Sequence, residues 1–105
     1  MNAYSVTPEQ IRASLASVIE PGFGVNIVDL GLVYAIHATE DRIDIDLTLP
    51  RPDSPLVASI AADVEQTVRA AFEDVETVEV SLIWDPPWSF DRLTDKGKEA
   101  LGLER

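Results

Sequence analysis

The chain has 105 residues, 46% of them hydrophobic, and nineteen acidic against eight basic side chains give a formal charge of −11. That length predicts one domain over residues 1–105, and that composition excludes disorder throughout. The acidity disfavours nucleic acid and anionic membranes as partners while permitting basic proteins and hard cations. With no cysteine, a disulfide framework, a zinc–thiolate site, thiol catalysis and an iron–sulfur cluster held on the chain's own thiolates are excluded. No basic segment followed by an apolar run opens the sequence, and no apolar stretch approaches about 18 residues, so the expected location is the cytoplasm with no membrane span.

In chain order, Thr7-Pro8-Glu9-Gln10 opens a first helix. Thr7 suits the N-cap, Pro8 the first helical position, and Gln10 completes a capping box. Ile11, Leu15 and Val18 follow at helical spacing, and Pro21-Gly22-Phe23-Gly24 stops the helix and begins a loop. Val25 to Gly31 is mixed in pattern and reads as a turn carrying Asp29 and Gly31. Leu32 to Thr39 then alternates as a strand with Leu32, Tyr34, Ile36 and Ala38 on one face, and Arg42 to Leu49 alternates with Ile43, Ile45, Leu47 and Leu49 inward. A hairpin centred between Glu40 and Asp41 sets Ile36 opposite Ile45, Tyr34 opposite Leu47 and Leu32 opposite Leu49, and a slip of one residue would turn these groups to water.

The proline-rich stretch Pro50–Pro55 cannot continue a central strand. Ser54 is expected to cap a second helix with Pro55 at its first position and an apolar stripe of Val57, Ile60, Val64, Val68 and Phe72. Thr77 to Trp84 predicts a third strand with Val78, Val80, Leu82 and Trp84 inward, ended by Asp85-Pro86-Pro87-Trp88. Thr94 caps a short last helix through Ala100, weakened by Gly97 and closed by Gly102. The order α-β-β-α-β-α predicts a two-layer α/β (α+β) fold with helices on a three-stranded sheet, the second and third strands parallel through the helical crossover.

Glu20-Pro21, the run Val25 to Val33, and Trp84-Asp85-Pro86-Pro87-Trp88 resemble the metal–sulfur cluster biosynthesis family that includes the SufT and PaaD proteins, over about Thr7 to Leu103. The resemblance implies a fold of the iron–sulfur cluster assembly domain type. It also implies a role in maturation of iron–sulfur or other metal-containing proteins, mainly as an adaptor. It further implies that Ser54 stands where relatives carry a reactive cysteine, and that Glu20-Pro21-Gly22 replaces an Asp-Pro-Glu.

Each candidate residue carries a structural reading beside a functional one. Ser54 reads as a helix cap, as a polar member of an altered pocket, or as an activated nucleophile that lacks an accompanying base. A serine hydroxyl stays protonated near neutral pH and is a poor soft-metal ligand, unlike a thiolate at a helix N-terminus. His37, the single histidine, falls on the outer sheet face opposite Asp44 with Asp46 and Glu79 nearby, either as a solvated His–Asp pair or as a metal or partner contact. Asp29 reads as a turn-forming aspartate or as a pocket carboxylate near Ser54 and Glu20. Glu20, Asp29 and Asp53 together would offer oxygen ligands to a hard cation. Trp84 is expected in the core, whereas Trp88 either seals the core edge or, with Asp85, anchors a partner.

With one histidine and no glycine-rich phosphate loop, HExxH or GxSxG pattern, the chain is expected to be no enzyme and to hold no cofactor. The expected partners are a client metalloprotein or iron–sulfur assembly proteins, with a homodimer open because a three-stranded sheet leaves edges uncovered. The second reading is a stand-alone metal-binding protein or metal-dependent enzyme using Asp29, His37 and nearby carboxylates, and the third an interaction module without a metal connection.

Overall fold

The computed structural model describes residues 6–103. Helix α1 spans Pro8–Leu15, and its first turn is closed in both directions. The Thr7 side chain accepts from Gln10 N–H at 3.2 Å, and Gln10 Oε1 accepts from Thr7 N–H at 2.9 Å. Ile11 and Leu15 are fully buried on its inner face. The helix ends sooner than its apolar spacing suggests, because Val18 reaches the core from the segment that follows.

That segment is the first departure from the expected order. Instead of a loop, Ile19–Glu20 (β1) and Val25–Asn26 (β2) form a small antiparallel hairpin pairing Glu20 with Val25, with Pro21 to Gly24 as its turn. Gly24 sits at φ +71°, where an L side chain is disfavoured. Two-residue strands carry no period, so sequence pattern cannot reveal them.

The main sheet has the order β3-β4-β5, with β3 at Val33–Ala38, β4 at Arg42–Leu47 and β5 at Thr77–Leu82. β3 and β4 are antiparallel with Ile36 opposite Ile45 and His37 opposite Asp44, as the alternation requires. Beyond that point a register shift between Val33 and Ala35 places Val33 opposite Leu47 and displaces Tyr34 from the expected pairing. The Tyr34 hydroxyl instead donates to the Pro86 carbonyl at 2.9 Å, and the Arg92 guanidinium lies 4.5 Å above its ring. Leu32, expected opposite Leu49, accepts from Thr48 N–H.

β4 and β5 run parallel, Ile43 beside Val78 and Ile45 beside Val80, joined by α2 at Val57–Ala71. α1 and α2 pack on each other and on one face of the sheet, which buries Ile11, Leu15, Ile60, Val64 and Val68 against Ile36, Ile43, Ile45, Leu47 and Val78 as one continuous core. Trp84, expected inside, lies past the end of β5 and is 38% exposed. The last helix, α3 at Asp95–Ala100, is capped by Thr94 as expected.

Gly31 has φ +75°, and a Cβ there would collide with the Arg92 carbonyl. Gly31→Ala is therefore expected to lower stability by about 2 kcal/mol or more, measured as a lower urea midpoint at unchanged slope. Thr48 directly follows β4 and is 1% exposed, and its Oγ1 has no hydrogen-bond partner among the described residues. Thr48→Val keeps the shape and removes that burden, so a gain of about 1 kcal/mol is expected in the same measurement.

Candidate functional site

The β1–β2 hairpin brings a carboxylate to the mouth of the core. Glu20 is only 6% exposed, and its Oε1 accepts from Phe23 N–H at 2.7 Å inside the hairpin turn, while its main-chain carbonyl accepts from Gly24 N–H. Beside it opens a cleft of about 260 Å³. The hairpin contributes Glu20, Gly22 and Phe23. The end of the β4 segment contributes Leu49, Pro50 and Arg51, and the approach to α2 contributes Ser54, Leu56 and Ile60. Glu20 and Ser54, far apart in the chain, thus line one cavity with largely apolar walls.

Ser54 is not the N-cap of α2, which begins at Val57 after a turn over Pro55 and Leu56. Its Oγ accepts from Leu56 N–H at 3.1 Å and its carbonyl from Val57 N–H at 3.3 Å, so it organises the turn that feeds the helix. The Ser-Pro signal marks the right place, but one additional turn separates it from the first helical residue. Asp53 is exposed at the rim, 3.7 Å from Arg51, and does not line the cleft.

Asp29 does not join this cavity. Its Oδ2 accepts from Asn26 Nδ2 at 2.8 Å, its N–H donates to Asn26 Oδ1 at 2.9 Å, and its Oδ1 accepts from the Thr94 hydroxyl at 2.9 Å. Its carbonyl accepts from Thr94 N–H, and Gly97 packs so closely on that carbonyl that a Cβ would not fit. Asp29 is thus a structural hub between the turn and α3. Glu20, Asp29 and Asp53 do not converge, and among the described residues no three histidine, cysteine, aspartate or glutamate side chains form a group that could hold a metal ion.

Trp88 is half-buried, and its indole N–H donates to the Leu30 carbonyl at 2.6 Å. It stacks in a triangle with Phe23 and Phe90, ring centroids 5.2 to 6.0 Å apart, at one side of the cleft. Phe90 remains 52% exposed. Phe23 and Phe90 escaped the sequence reading because both sit in irregular segments, although an aromatic inside Pro-Gly-Phe-Gly was a signal. Asp85 is exposed on the loop leading to Trp88.

The outer sheet face carries His37 opposite Asp44, with Glu79 beside Asp44 as expected. Arg42, absent from the expected set, bridges the two acids at 2.8 Å to Asp44 and 2.7 Å to Glu79. These carboxylates are thereby hydrogen-bonded to a guanidinium and, among the described residues, not to the imidazole.

Solved structures with the same architecture include a domain of unknown function from Bacillus anthracis (TM-score 0.86, 36% identity, 91% of this chain and 92% of that one). A conserved hypothetical protein from Thermotoga maritima is also similar (TM-score 0.79, 34% identity, 95% and 98% covered). These define the class as a small α+β fold with a mixed three-stranded sheet. The profile of the family described as iron-sulfur cluster assembly protein matches residues 8–82, and the chain belongs to that family. It is 37% identical over 97 residues to the Fe-S protein maturation auxiliary factor YitW of Bacillus subtilis, covering 91% of this chain and 94% of that protein. It is 36% identical over 87 residues to the auxiliary factor SufT of Staphylococcus aureus, covering 82% and 98%.

On the outer face, the hydrogen bond from Arg42 holds the Asp44 carboxyl below the usual carboxylate range, against partial desolvation and with help from the charges of Arg42 and His37. A depressed folded pKa contributes stability above the unfolded value, which is lost as pH falls through the folded value. Arg42→Gln is therefore expected to raise the Asp44 midpoint in a carboxyl-carbon NMR titration and to remove that part of the acid-side dependence.

Proposed function

We propose that the chain is a non-catalytic adaptor in the maturation of iron–sulfur or other metal-containing proteins. It acts as a single domain in the cytoplasm and works by contact with a client or with the assembly machinery. The observation that carries this reading is the chemistry of the cleft. Its polar donors and acceptors are the Glu20 carboxylate, the Ser54 hydroxyl and Arg51, and the chain contains no sulfur nucleophile anywhere. On this reading Ser54 stands where relatives carry a cysteine, and its hydroxyl is already committed to the Leu56 N–H as an acceptor. A protonated hydroxyl neither attacks like a thiolate nor binds soft iron well. What remains is a shaped, partly apolar recess flanked by aromatic groups and loops, suited to recognition.

Family membership supports the process, and the relatives' names point to auxiliary rather than catalytic work. The contact surfaces on this reading are the cleft with the Pro50–Pro55 loop and the Asp85–Trp88 loop.

Deleting the gene in its native host is expected to lower the activity of iron–sulfur enzymes several-fold, with recovery on restoring the parent chain. The purified chain, incubated anaerobically with ferrous iron and sulfide and then desalted without added thiols, should show no visible charge-transfer band. A cluster retained after desalting would overturn the adaptor mechanism, and unchanged iron–sulfur enzyme activity on deletion would overturn the maturation role.

A further inference from the structure

Glu20 is the buried acidic side chain among the described residues, and its two oxygens differ. Oε1 is held by Phe23 N–H at 2.7 Å, while no donor or cation of the described residues reaches Oε2. Arg51, the cation at the rim, is 77% exposed and turned toward Asp53. Oε2 is not one of the buried side-chain atoms left without a partner, and Glu20 lines the cleft, so this oxygen is presented there to an incoming donor. The cavity beside it is walled by Phe23, Leu49, Leu56 and Ile60.

Resting on the adaptor reading, we infer that the cleft receives a lysine side chain from the partner polypeptide. Its methylene stem lies along the apolar walls, and its ammonium meets Glu20 Oε2. Four features select this occupant. A recess of about 260 Å³ holds one long side chain and is too small for most cofactors. An amphipathic stem ending in a charge matches apolar walls ending in a carboxylate. A single free oxygen suits a compact ammonium, whereas a guanidinium gains its advantage from two parallel hydrogen bonds. The formal charge of −11 steers basic partners toward the surface. A bare divalent cation fits less well, because no group of three candidate ligand side chains gathers here or elsewhere among the described residues.

The test is a titration of the isotopically labelled full chain with n-butylammonium chloride, followed through its backbone amide NMR signals. Sodium chloride and n-butanol serve as the charge-only and stem-only controls. Saturable shifts are expected at Phe23, Ser54 and Leu56 with the ammonium salt and not with either control. Glu20→Gln keeps Oε1 as an acceptor for Phe23 N–H and so spares the hairpin, and it is expected to weaken binding by roughly tenfold or more. Equal binding to Glu20→Gln, equal response to n-butanol, or no saturable shift with the ammonium salt each overturns the assignment. Ferrous iron saturating the same signals while the ammonium salt does not would overturn it in favour of a metal site. No client is present in this titration, so its failure sinks the lysine assignment alone, whereas unchanged enzyme activity on deletion sinks the maturation role alone.

Discussion

The turn from Asn26 to Gly31 is where the two ends of the molecule are tied together. Asn26 and Asp29 lock the turn through reciprocal side-chain bonds, and Asp29 then receives Thr94 at both its carboxylate and its carbonyl. One residue on, the Leu30 carbonyl takes the Trp88 indole, and Gly31 lies flat against the Arg92 backbone. Each bond is ordinary in strength, with a net worth of about 0.5–1.5 kcal/mol. They act at one place, however, and they orient everything after β5. Beyond Ile83, which still bonds to Leu47, the segment follows no strand, and this turn joins the Tyr34–Pro86 bond and the aromatic triangle in holding Trp88 and Phe90 beside the hairpin.

That anchoring bears directly on the cleft. Phe23 belongs to both the cavity wall and the aromatic triangle, so the C-terminal segment buttresses the hairpin turn that carries Glu20. The hairpin in turn decides which way the carboxylate points, through the bonds from Phe23 and Gly24. An isolated two-residue hairpin has no independent stability in water. Here it is held by Val18 and Val25 in the core below and by aromatic rings at its tip. The site is thus assembled from three separate parts of the chain on a scaffold whose main sheet supplies little of the cavity lining.

The two polar regions of the molecule have different characters. On the open sheet face, Arg42, Asp44 and Glu79 satisfy one another in solvent, and His37 stands opposite with no comparable enclosure. In the cleft, Glu20 is 6% exposed beside apolar walls, with Oε1 bonded to Phe23 N–H and no salt bridge among the described residues. A surface ion network exposed to water and salt has little left to offer a partner, whereas a carboxylate beside apolar walls is less screened. This contrast directs attention away from the histidine and toward the glutamate. It also agrees with the proposed reading, in which a member of an iron–sulfur cluster assembly family that has no cysteine contributes by recognition.

The sequence alone determined the capping box of α1, the β3–β4 alternation about Glu40 and Asp41, the parallel β5, the cap of α3 and the family. Each rests on local stereochemistry or on a repeating pattern that survives without knowledge of distant residues. It also located Ser54 and Glu20 as candidates, and it excluded thiol chemistry outright. Tertiary structure alone decided that the cavity expected near Glu20 and Ser54 is walled by Phe23, Leu49, Leu56 and Ile60, that Asp29 serves α3 instead, that Tyr34 slips from its ladder to meet Pro86 and Arg92, and that Trp84 stays outside. None of these could be read from pattern. A two-residue hairpin and a register shift have no periodicity, and convergence of side chains from separate segments depends on packing of the whole chain.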